Sequence, residues 1–74
     1  MSVEDTPMSV AKVSEISSTS TKSFEAAIHD GLARANKTLR NVKSAWVKEQ
    51  QVRVEKGKIT EYQVNMMVTF VIDD

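Results

Sequence analysis

Residues 59–72 alternate between apolar and polar positions for longer than any chance pattern would. Tyr62, Val64, Met66, Val68, Phe70 and Ile72 fall on one parity, while Glu61, Gln63, Asn65 and Thr69 fall on the other with Ile59, Met67 and Val71. Period two over a dozen residues specifies a strand with one apolar and one mixed face. Just before it lies Glu55-Lys56-Gly57-Lys58, with a glycine where a tight turn needs positive φ and charges on both sides. Upstream, Ser44 to Val54 carries β-branched residues and Trp46. Residues 44–73 therefore read as one long β-hairpin, and the rest of the chain must be arranged around it.

A two-residue Lys56-Gly57 turn sets an expected register. It places Glu55 opposite Lys58, Trp46 opposite Met67, Lys48 opposite Asn65, Gln50 opposite Gln63 and Val52 opposite Glu61. The other face pairs Ala45 with Val68, Val47 with Met66, Glu49 with Val64 and Gln51 with Tyr62. Trp46, the only tryptophan, then shares a face with the amides of Gln63 and Asn65, while Glu49 points toward the apolar side, where it would need a cationic partner.

A chain of 74 residues holds one domain at most. Such a domain buries little more than about 60% of its unfolded surface, so oligomerisation is the expected remedy where no disulfide or metal staple exists. There is no cysteine. Lys plus Arg and Asp plus Glu both number 10, a balance that argues against a polyanionic partner such as nucleic acid or an acidic membrane surface. The apolar runs are too short to span a bilayer and no signal peptide is apparent, so a cytoplasmic location is expected. No nucleophile–base pair, metal-ligand cluster or glycine-rich phosphate loop suggests an enzyme.

Residues 1–9, broken by Pro7, read as a flexible tail, and 10–74 as the domain. Val10–Ile16 reads as a short strand, bulged or ending near Glu15, followed by a hydroxyl-rich loop at 17–23. Those hydroxyls are either a simple connector or an anion site at a helix terminus. Ser23 is an expected N-cap for an amphipathic helix running to about Arg40. Phe24, Ile28, Leu32, Ala35 and Leu39 line its apolar stripe, with Ala27 and Gly31 flanking. The order is β-α-β-β, an α+β fold. The helix carries the chain back so that strands one and two run parallel, and strand three fits between them, antiparallel to both, in sheet order 1-3-2. One helix covers one face only. The face with Trp46, Met67 and Val71 is left for another subunit or a ligand.

The chain resembles the dodecin family over about residues 9–73. The likeness rests on Val10–Ser20, Ser23-Phe24-Glu25-Ala26-Ala27-Ile28, Leu32-Ala33-Arg34-Ala35, Lys37-Thr38-Leu39-Arg40, Glu61-Tyr62-Gln63-Val64 and Val68-Thr69-Phe70, in that order and spacing. It implies a three-stranded antiparallel sheet partly wrapped around one helix, and a homododecameric hollow shell. It also implies storage of a flavin such as FMN or riboflavin, without turnover. In such members two flavin rings stack at a two-fold axis between tryptophans from two subunits, and a third-strand glutamine bonds the ring; Gln63 matches that glutamine. The stacking tryptophan's place is taken here by Ser44, and Trp46 stands two residues later, roughly 6.6 Å along a strand. Val47-Lys48-Glu49-Gln50 resembles a subset that lacks the tryptophan, one type of which is a calcium dodecin.

The flavin-site candidates are Trp46, Gln63, Ser44, Lys48, Asn65 and Met67. Trp46 reads either as a platform for a planar ligand or as an anchor between subunits. Gln63 reads either as a ligand-bonding group or as a cross-strand partner of Gln50. Calcium is the alternative ligand of the same shell, structural or ion-binding. Asp73-Asp74 reads as an acidic end short of the six or more oxygens calcium takes. The lone His29 reads as a solvated helix residue.

Overall fold

The computed structural model describes residues 10–72. The expected tail at 1–9 and the Asp73-Asp74 pair lie outside these residues. Four elements follow in order: β1 (Val10–Ser20), α1 (Phe24–Thr38), β2 (Val42–Glu55) and β3 (Lys58–Ile72). The sheet order is β1-β3-β2 with β3 antiparallel to both neighbours, as the connectivity requires.

Local chemistry explains the boundaries. Ser23 adopts an extended φ of −171°, and its Oγ accepts from the Ala26 N–H at 2.9 Å, satisfying one orphan donor of the first helical turn. Glu25 lies in that turn and Lys37 in the last one, each complementing the helix dipole. The helix stops at Thr38, two residues short of the expected Arg40. Leu39 turns extended and closes the end by donating to the Ala35 carbonyl at 2.8 Å. Asn41 then takes a left-handed φ of 58°, a conformation asparagine tolerates, and feeds the chain into β2. At the hairpin tip Lys56 and Gly57 have φ of 53° and 77°. Two positive φ values make the two-residue turn whose twist matches the strands it joins.

β1 is longer than the sequence suggests. It pairs without interruption from Val10↔Ile72 to Ser20↔Tyr62, so the run Ser17–Ser20 is strand, not loop. Its hydroxyls lie opposite the polar and aromatic half of β3, and Gln63 Nε2 donates to Ser17 Oγ at 2.9 Å. There is no bulge at Glu15. Val13 and Ile16 fall on opposite faces, Val13 open to solvent and Ile16 against the helix.

The helix is also rotated from the expected setting. Ala27, Gly31 and Ala35 form the buried line, while Phe24, Ile28 and Leu32 are half-buried on its flanks. Small residues sit at the centre because they let the helix descend onto Val64, Met66 and Val68, which are at most 1% exposed. Gly31 has no room for a side chain: an added Cβ would stand 2.7 Å from Met66 Cε and 2.9 Å from Ser18 Cβ. Phe24 closes one end by meeting Tyr62 edge-to-face, with centroids 5.1 Å apart. Leu39, expected on the sheet, is the half-buried C-cap instead.

The molecule measures 57 × 26 × 15 Å. Its short axis is one sheet plus one helix, so among the described residues no layer covers the far sheet face.

Candidate functional site

The uncovered face is built by β3 and is modified by bulges that the hairpin register did not anticipate. From the tip, Glu55↔Lys58 and Val54↔Ile59 follow the expected pairing. Thr60 is then an extra residue on β3, its hydroxyl donating to the Arg53 carbonyl at 3.4 Å, and Arg53 comes to face Glu61. Five pairs later, Lys48 is an extra residue on β2, and the original register returns at Val47↔Met66, Trp46↔Met67 and Ala45↔Val68. The two bulges sit on opposite strands, so they cancel. From the tip to Ser44, only the stretch between them is displaced.

That displacement inverts the faces of residues 49–53. The expected pairs Lys48–Asn65, Gln50–Gln63, Val52–Glu61, Glu49–Val64 and Gln51–Tyr62 do not form. Instead Glu49 faces Asn65, Gln51 faces Gln63 and Val52 faces Tyr62. Glu49 therefore lies on the open face, not the helix side, and meets an amide rather than a buried cation. Gln50 passes to the helix side opposite Val64 and is no partner for Gln63. A third irregularity leaves Lys43 unpaired in register, between Val42↔Phe70 and Ser44↔Thr69.

Five of the six sequence-derived site residues come together on this face, and Ser44 borders them. Trp46 is 52% exposed and lies opposite Met67, whose β1 neighbour is Glu15. Lys48 reaches from its bulge to Glu15, with Nζ 3.3 Å from Oε1. In the next row Asn65 Nδ2 donates to Glu49 Oε1 at 2.6 Å. One row further, Gln63 Nε2 donates to Asn65 Oδ1 at 3.2 Å and to Ser17 Oγ at 2.9 Å. Ser44 lies exposed opposite Thr69 at the far end of the same strand pair. Glu15, Ser17 and Glu49 join the site without having been singled out for it. For Glu49 the sequence carries no signal, because a bulge decides its face. Beyond Gln63, a depression of about 190 Å³ is lined by Gln51, Val52, Arg53, Glu61 and Gln63, and Arg53 Nε stands 3.4 Å from Glu61 Oε1.

Trp46 and Met67 supply the apolar part of one row, beside the Lys48–Glu15 ion pair, and amide, hydroxyl and carboxylate groups make up the next two rows. The Met67 and Gln63 rows are separated by roughly 13 Å along the strand. Among the described residues no group of three or more His, Asp or Glu side chains could hold a metal ion. No described helix is long and apolar enough to cross a membrane.

Fold and face together define a small α+β module of one helix on a three-stranded sheet. The dodecin family model matches residues 10–73. The chain is 40% identical over 65 residues to the dodecin of Thermus thermophilus, covering 88% of this chain and 94% of that protein. An arginine-to-alanine variant of T. thermophilus dodecin superposes with a TM-score of 0.86 at 39% identity, over 90% of this chain and all of that one. Streptomyces davaonensis dodecin gives 0.85 at 33% identity, over 89% and 97% of the two chains. The calcium dodecin of Mycobacterium tuberculosis, described as a calcium-chelating antigen, gives 0.75 at 34% identity, over 86% and 91%. The chain belongs to the dodecin family.

Proposed function

We propose that this chain is a non-enzymatic, homo-oligomeric storage protein for a planar small ligand, a flavin of the FMN or riboflavin kind, in a dodecameric shell. The observation that carries the reading is Trp46: half-exposed, in register with Met67, and on the same face as Gln63. An isoalloxazine is apolar at its benzenoid end and hydrogen-bonding at its pyrimidine end, and the face offers an indole and a thioether for the first and an amide for the second. Trp46 and Met67 would take the apolar end by stacking, and Gln63 the polar end. The flavin itself would supply only its own redox and photochemistry, which binding shields. Ser44, at the position where the resemblance places a stacking tryptophan, leaves that task to Trp46.

Assembly follows from the burial. Among the described residues the buried apolar core is Ala27, Ala35, Val64, Met66 and Val68, while Val54 and Ile59 at the hairpin tip are 55% and 52% exposed. A chain with so small a core gains stability by covering those residues with other copies. The second reading is the same shell without flavin, holding an ion such as calcium. It draws on Ser44 and on the likeness to a calcium dodecin. Since no acidic cluster lies among the described residues of one chain, such an ion would draw on acidic side chains from neighbouring subunits.

The test is a titration of refolded, ligand-free protein into riboflavin and FMN, following flavin fluorescence, with the oligomer mass checked by light scattering. Saturable quenching is expected, because stacking on an indole quenches the flavin. Full fluorescence at saturating protein would overturn the flavin reading. Calcium calorimetry on the same sample would then test the alternative. A monomer mass would overturn the assembly.

A further inference from the structure

We infer, resting on the flavin reading above, that Glu49 and Asn65 lock the amide of Gln63 so that it can only accept a hydrogen bond from a ligand. The site then selects a ring edge that offers an N–H donor, such as an imide or lactam. Glu49 sets the direction of the relay. An ionised carboxylate accepts and cannot donate, so the group 2.6 Å from its Oε1 has to be the amide nitrogen of Asn65. Reversing Asn65 would place two acceptors against each other. With its nitrogen committed, Asn65 turns its Oδ1 toward Gln63, and Gln63 must answer with Nε2, at 3.2 Å. The same nitrogen also donates to Ser17 Oγ at 2.9 Å. Both N–H bonds of Gln63 are thus used. Its Oε1 accepts from no described residue, and it is the only hydrogen-bonding capacity the side chain has left.

A glutamine alone is ambiguous: either end of its amide can face a ligand. The three-residue relay removes the ambiguity before a ligand arrives, which avoids the cost of ordering the group on binding. The bulge at Lys48 makes this arrangement, because it brings Glu49 to the open face opposite Asn65. Glu49 and Asn65 are positioning residues here, and Gln63 is the group that touches the ligand.

Two measurements test the proposal. The first compares riboflavin with riboflavin methylated on its imide nitrogen, in the wild type and in Asn65→Leu. The wild type is expected to prefer the unmethylated ligand by about tenfold or more, the scale of one hydrogen bond to a fixed acceptor. In Asn65→Leu the preference is expected to shrink to about threefold or less, because Gln63 is free to turn. A steric penalty from the methyl group would be the same in both proteins, so an unchanged ratio would overturn the proposal. The second measurement needs no ligand. In protein labelled with ¹⁵N in Asn and Gln, the side-chain NH₂ resonances of Gln63 are expected to shift in Glu49→Ala, although Glu49 does not touch Gln63. Unmoved Gln63 resonances would show that no relay exists. If neither flavin binds while the Gln63 resonances do move, the flavin reading fails and the locked acceptor stands.

Discussion

Replacing Gly31 by alanine tests the packing that holds this fold together. In an exposed helix the change stabilises by about 1 kcal/mol, because glycine gives up more backbone freedom on folding. Here the new Cβ would lie 2.7 Å from Met66 Cε, 2.9 Å from Ser18 Cβ and 3.2 Å from Ser18 Oγ. Carbon atoms pack comfortably at about 3.5–4.0 Å, so the methyl overlaps two neighbours at once. Met66 is 1% exposed but ends in a flexible methyl that can give way, so the firmer obstacle is Ser18. Ser18 Cβ is attached to β1 backbone, which is paired to β3 at Val64 and cannot shift alone. Overpacking of this kind costs about 1–3 kcal/mol. Set against the helix gain, the net loss is about 1 kcal/mol. For a domain this small that lowers the melting temperature by roughly 4–8 °C. The assay is thermal unfolding at fixed protomer concentration, since assembly makes the midpoint concentration-dependent. In a Ser18→Gly background the penalty of Gly31→Ala should be smaller, because half the obstruction is gone. A Gly31→Ala protein that melts at or above the wild-type temperature would refute the close approach of helix and sheet.

Three further outcomes are expected. Ser23→Ala removes the cap on Ala26 N–H and should destabilise by about 1 kcal/mol, whereas Ser23→Asp should keep most of the stability; equal melting of all three proteins would show that the cap contributes nothing. Gly57→Ala should destabilise by about 1 kcal/mol because the φ of 77° strains an L-residue, although nothing crowds the site, and Gly57→Asn should recover part of the loss in a urea or thermal melt. Trp46→Ala should weaken a stacked flavin by about 1–3 kcal/mol, on the scale of base–aromatic stacking, in the same quenching titration. An unchanged affinity would make Trp46 a contact between subunits instead.

Some of this protein is written in local sequence. The turn at Lys56-Gly57, the cap at Ser23 and the alternation of β3 each depend on residues within a few positions of one another, so the β-α-β-β order and the 1-3-2 sheet follow from the chain alone. Trp46, Met67, Asn65 and Gln63 are likewise placed on one face by parity. What parity cannot reveal is a bulge. The extra residues Thr60 and Lys48 arise where a long, twisted hairpin is matched to its partner strands, and nothing in their own identity marks them. They cancel at Trp46, which is why its partner is the expected one, yet between them they turn Glu49 from the helix side to the open face. The helix setting has the same character. Large residues at helical spacing suggest a stripe centred on Ile28 and Leu32, but a helix lies as close to a sheet as its smallest residues allow. Gly31 therefore takes the centre and pushes those side chains to the flanks. The sequence alone determined the elements and their order, since these rest on short-range backbone chemistry. Only the tertiary structure decided register and rotation, and with them the relay that aims Gln63, because these depend on how distant surfaces fit.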